Sequence, residues 1–142
     1  MRNDCTKSGV SAACLERRLE MNKPQLNEVE IYVGIIGDHT GKSHHVILLP
    51  GDNDDANWKD QMAWAKSIGG DLPNRIEQAM LWANHRDQFK EDRYWSNESH
   101  QDEYGCAWIQ DFICGYGYQG YDYIIHELRA RAVRREKQNA VD

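Results

Sequence analysis

The sequence predicts an α+β domain built on a mainly antiparallel sheet. Apolar runs of strand length stand at both ends of the patterned region. Two segments of helical period lie between them, and no repeat period links the parts. The 142 residues suit one domain, with 40% apolar and 28% charged residues marking a globular chain rather than a disordered one. Residues 1–27 read as a polar extension, 28–137 as the domain and 138–142 as a tail.

In the extension, Ser11 could cap a short helix over 11–21 that carries Leu15 and Leu19 on one face and ends before Pro24. Val29 to Ile36 and His45 to Leu49 read as two buried strands. The turn formers Gly37 to Ser43 join them into a hairpin. Pro50 to Asp55 reads as a loop. Asn57 then caps a helix from Trp58 to Ile68, with Trp58, Met62, Ala65 and Ile68 at helical spacing and Gly69-Gly70 as its stop. Leu72-Pro73-Asn74 opens a second helix near Arg75–Asn84, whose expected inner face is Ile76, Ala79, Met80 and Ala83, with Leu81 and Trp82 beside it. Tyr94-Trp95-Ser96, Ala107 to Ile113 and Leu128 to Arg134 read as strands. A glycine- and tyrosine-rich gap, Gly115 to Tyr123, precedes the last one.

Several strings taken together resemble one known family, the Lcl C-terminal-like domain. They are HHVILLPGDNDD, WKDQMAWAKSIGGDLPNRIEQAMLW, YWSNES, CAWIQDF and LRARAVRR, spread over about residues 30–135. The resemblance implies a C-type-lectin-like fold, shared with formylglycine-generating enzymes and with retroelement variable proteins. It implies two helices on the sheet, and Val29–Ile36 lying beside Leu128–Arg134. It also implies a phage or prophage accessory protein that meets ligands through the irregular loops at 97–105 and 114–126.

Charge and chemistry narrow the function. With 17 Lys+Arg against 23 Asp+Glu, the net charge is −6, which disfavours direct nucleic-acid binding because backbone contact needs a basic face. Gly37 to Ser43 imitates a phosphate-binding loop, yet Ile36 stands where the pattern needs glycine and a strand follows where a helix should. Asp52, Asp54 and Asp55 fail the EF-hand register, and the histidines form no HxxxH pair on either helix, so no metal or other cofactor is expected. The four cysteines, Cys5, Cys14, Cys106 and Cys114, match no zinc spacing and read as free thiols. With no membrane-length apolar run and no export signal, the expectation is a cytoplasmic protein in the host cell, with a virion or cell surface as the alternative.

The feature that points to function is the tyrosine cluster. Five of seven tyrosines stand at 104, 116, 118, 121 and 123, interleaved with glycine. Tyrosine gives rigid amphipathic contact area and glycine lets a loop adapt. The candidate contact residues are Asn97, His100, Asp102, Tyr104, Trp108, Tyr116, Tyr118, Tyr121 and Tyr123. A non-catalytic domain binding a protein partner is the leading expectation. A second follows from charge: residues 52–111 hold thirteen acids and six bases, while 128–137 hold five bases and one acid. An acidic patch at Asp52, Asp54 and Asp55 would suit an anti-CRISPR-like inhibitor of a host defence complex. The third is a formylglycine-generating-type oxidase at Cys106 and Cys114.

Overall fold

The computed structural model of the protein describes residues 23–113, 115 and 117–138. The helix expected at 11–21, with Cys5, Cys14, Cys114 and Tyr116, lies outside the described residues. Among them the chain is α+β. Its elements are β1 (Ile31–Gly37), β2 (Ser43–Leu48), β3 (Asn53–Ala56), α1 (Trp58–Ser67), α2 (Arg75–His85), a short 3₁₀ turn (Arg86–Gln88), β4 (Arg93–Ser99), β5 (Cys106–Asp111), β6 (Gln119–Tyr123), β7 (Leu128–Ala130) and β8 (Val133–Lys137). The strands form a three-stranded sheet, β1-β2-β8, and a five-stranded sheet, β3-β7-β4-β5-β6. Every pairing is antiparallel except β4 with β7.

Both helices start where local chemistry dictates. Asn57 accepts the Asp60 amide at 2.9 Å. Asn74 and Glu77 form a reciprocal capping box, each side chain accepting the other's amide at 2.8 Å. At the end of α1, the Gly69 amide donates to the Lys66 carbonyl and the Gly70 amide to that of Ala65, the two bonds of a Schellman motif. Gly69 takes φ +85, and a Cβ on Gly70 would stand 2.6 Å from the Val133 carbonyl. Both glycines are therefore required, one by conformation and one by space.

Two clusters make the core. Trp95, Ala107, Ile109 and Leu128 pack with Ala65 of α1. Tyr94, Phe112, Val46 and Val133 pack with Leu81 of α2. Adjacent residues Trp95 and Tyr94 thus serve opposite faces of β4, as strand alternation requires.

Several expectations are corrected. The first and last strands are not neighbours, because β2 lies between them. His45 to Leu48 is buried throughout and takes the centre, whereas β1 leaves Ile35 and Gly37 exposed at the edge. Leu128 to Arg134 is two strands in different sheets, broken where Arg131 turns inward to donate to the Gln88 and Leu49 carbonyls at 2.6 and 2.7 Å. The loop at Pro50 to Asp55 contains the start of edge strand β3, and the glycine- and tyrosine-rich gap contains β6. The inner face of α2 is one residue, about 100°, out of phase with expectation. Glu77, Gln78 and Leu81 are buried, while Ile76, Ala79 and Ala83 are exposed. The reason is an inward carboxylate, Glu77, whose burial hydrophobic spacing cannot register.

Candidate functional site

The tyrosine-rich segment forms the free edge of the larger sheet. β6 pairs with β5 on one side only, in the register Trp108 to Tyr121 and Cys106 to Tyr123. Alternation places Gln119, Tyr121 and Tyr123 on one face. That is the face away from Ala107 and Ile109, which enter the core with α1.

Trp108 organises this face. The Arg75 guanidinium stands 3.5 Å over its ring, and the His100 ring stacks on it at 4.4 Å. His100 also meets Tyr121 edge-on at 4.6 Å. Arg75 and His100 are each held from behind. Arg75 donates from Nε to Gln119 at 3.2 Å, while Gln119 donates back to the Arg75 carbonyl at 2.6 Å. His100 Nδ1 accepts the amides of Asp102 and Glu103 at 3.1 and 2.9 Å, which leaves Nε2 to carry the proton of the neutral ring. Tyr121 is about half exposed beside this fixed group, and Tyr123, which meets His126 edge-on at 5.5 Å, is about half exposed on the same face. Tyr118 is also half exposed but lies on the opposite face, against Gly120, and Tyr104 is fully exposed. The glycines here do not serve adaptability alone: a Cβ on Gly117 would collide with the Trp82 indole, so the segment is seated against α2.

Beside the aromatic group lies a cleft of about 450 Å³. Trp58, Ile124 and Cys106 line it together with His100, Asp102 and Tyr104. The Trp58 amide donates to the Ile124 carbonyl at 3.1 Å, which ties the start of α1 to the segment after β6. Cys106 is a free, buried thiol. Burial pushes its pKa up, and the carboxylates of Glu103 and Asp122 push it further. Such a thiol is held in its protonated, weakly nucleophilic form.

Asn97 stands apart from this face. Its carboxamide donates to Asp71 at 3.0 Å and its amide to the Pro73 carbonyl at 2.9 Å. It belongs to a braced seam that runs between the acidic middle and the basic end of the chain. There Arg135 grips buried Glu77 with two bonds of 2.7 and 2.8 Å and reaches Asp71 at 2.8 Å. His44 Nε2 joins Glu77 at 2.9 Å. Burial alone would raise the Glu77 pKa, but Arg135, the Asn74 amide and His44 together outweigh it and hold the carboxyl below its ordinary range. Asp71 is lowered in the same way, by Arg135 and Asn97 against its burial.

The acidic patch is corrected by the same pairing. Asp52 accepts from Arg129 at 2.9 Å and from the Tyr94 hydroxyl at 2.5 Å, and Arg129 also reaches Asp54 at 3.1 Å. Asp52 is therefore a structural partner, and only Asp54 and Asp55 are exposed. The imitation of a phosphate-binding loop is a hairpin turn, in which Asp38 Oδ1 accepts the amides of Thr40 and Lys42 at 2.8 and 3.1 Å. Among the described residues no three metal-ligating side chains converge, and no helix is long and apolar enough to cross a membrane.

Sequence reasoning missed Arg75, Trp58 and Ile124. Period-two spacing of Gln119, Tyr121 and Tyr123 could have revealed β6, whereas nothing local marks Arg75 as the partner of Trp108. No protein-family model matches the sequence, and no curated protein matches it.

Proposed function

We propose that the protein is a non-catalytic recognition domain that binds a protein partner through the aromatic edge of β6. The observation that carries this is the half exposure of Tyr121 against a ring group already fixed by Arg75 and His100, with Tyr123 half exposed on the same face and Tyr118 half exposed at the same edge. Rings held in place and left open lose little entropy when a partner arrives. An α+β arrangement of two helices and mostly antiparallel sheets is compatible with a C-type-lectin-like domain of the Lcl C-terminal-like kind, and with a phage or prophage accessory protein. The placement of β2 between the terminal strands departs from the closure expected of that fold.

The rival readings have less support. A defence inhibitor acting through acidic charge would depend on Asp54 and Asp55, because Asp52 is engaged by Arg129 and Tyr94. An oxidase would require a reactive thiolate, and the Cys106 pKa is displaced in the opposite direction.

The test replaces Tyr118, Tyr121 and Tyr123 together by Ser in a tagged protein, followed by capture from host lysate. Loss of a stoichiometric partner by tenfold or more, with the melting temperature held, is expected, since aromatic anchors dominate interfaces. Retained capture would overturn the reading. Loss of folding would assign the rings to packing instead.

A further inference from the structure

The cleft beside the aromatic face differs from it in character. Trp58, Ile124 and Cys106 give it apolar lining, and Ser99, His100, Gln101, Asp102 and Tyr104 supply the polar part. No Lys or Arg lines it. Among the described residues the Asp102 and Glu103 side chains make no hydrogen bond or ion pair, and both residues are exposed. Arg75 lies over Trp108, Arg93 pairs with Asp122 at 3.0 Å, and Lys59 follows Trp58 without lining the cleft. Glu103 and Asp122 stand near enough to Cys106 to push its pKa up, behind the larger effect of burial. At about 450 Å³ the cleft lies within the range of roughly 300–1,000 Å³ usual for ligand pockets.

We infer that this cleft receives a basic side chain, lysine or arginine, from the protein partner. The inference rests on the binding reading above and names what the partner inserts. The aliphatic stem would lie on Trp58 and Ile124. The cationic head would remain at the mouth, beside the Asp102 carboxylate and the Tyr104 ring, with the exposed Glu103 next along the chain. A long basic side chain has that division, an apolar stem with a charged end. A purely apolar side chain would leave the rim carboxylates without a partner, and an acidic one would be repelled. Aromatic rings beside a carboxylate favour an organic cation through both ring quadrupole and charge.

Capped tripeptides test this on the intact protein without any knowledge of the partner. The probes are acetyl-Gly-Lys-Gly-amide, acetyl-Gly-Arg-Gly-amide and the isostere acetyl-Gly-norleucine-Gly-amide. Binding is read from the NMR shifts of the Trp58 indole N–H and the Gly105 and Cys106 amides. At least one basic probe should saturate these signals at roughly tenfold lower concentration than the norleucine probe. The double variant D102N/E103Q, altered only at exposed positions, should remove that preference while leaving the spectrum of the core unchanged. Equal or stronger binding of the norleucine probe, no saturation by either basic probe, or a preference that survives D102N/E103Q would overturn the inference. The outcomes separate from those of the tyrosine test. Capture lost on tyrosine replacement without any basic preference in the cleft leaves the recognition reading standing alone. A basic preference in a protein whose capture ignores the tyrosines leaves the cleft standing alone.

Discussion

The arginine seam and the tyrosine edge lie in one small domain and use polar side chains in opposite ways. In the seam, Arg135, Arg129 and Arg134 each find carboxylates inside the chain, at Glu77 and Asp71, at Asp52 and Asp54, and at Glu30 and Glu136. At the edge, Tyr118, Tyr121 and Tyr123 remain about half open, Tyr121 against the fixed group of Trp108, His100 and Arg75. The arginine charge of the basic end is used within the fold, and β6 leaves an aromatic edge open. A strong charge imbalance along a sequence therefore need not describe the surface, because the two halves can neutralise each other once folded.

Breaking the seam should have the largest effect. Glu77→Ala leaves Arg135 facing a buried space without its carboxylate and removes half of the capping box, so a loss of about 3–5 kcal/mol in chemical denaturation is expected. A loss comparable to that of a surface substitution would mean that the seam does not hold the sheets together. Tyrosine replacement at the edge should barely move the same denaturation curve, which makes the pair of variants a direct contrast between the two regions.

Acid should act on the seam and spare the edge. The folded pKa values of Glu77 and Asp71 lie below their ordinary values of 4.5 and 3.8. Between its folded and unfolded pKa, each group binds more protons when unfolded, so stability falls with falling pH. The contribution is complete above the ordinary values and is lost as pH drops through the folded ones. Melting temperature should hold from neutrality to about pH 5 and then fall. The fall should be shallower in Glu77→Gln, and identical slopes would remove the assignment.

A smaller contrast lies within the acidic stretch itself. Asp52→Ala takes the nearer of two carboxylates from Arg129 and the acceptor from the Tyr94 hydroxyl, and should cost about 1–3 kcal/mol. Asp54→Ala removes a carboxylate whose side chain is 93% exposed, and its effect on stability should be close to nil. Equal effects from the two substitutions would mean that Asp52 is a surface charge like its neighbour.

The hairpin, both helices, the Asn57 cap and the stop at Gly69-Gly70 were legible in the sequence, whereas β3, β6 and the division of β7 from β8 were not. Asn57, Asn74 and the two glycines act on amides and carbonyls within a few residues, so composition and spacing determine them wherever the chain folds. Tyrosine clustering at 104 and 118–123 was legible as well, though not its place on an edge strand. The contacts that define the site and the seam span far greater distances along the chain. Gln119 and Arg75 are 44 residues apart, Arg135 and Glu77 58, Arg129 and Asp52 77, and Arg134 and Glu30 104. Which carboxylate each arginine meets, which strand takes the centre of the smaller sheet and which rings stay open depend on the packing of whole sheets. Short-range forces chose the elements of this protein; only the tertiary structure chose their partners, because pairing and exposure are properties of surfaces that do not exist until the sheets have met.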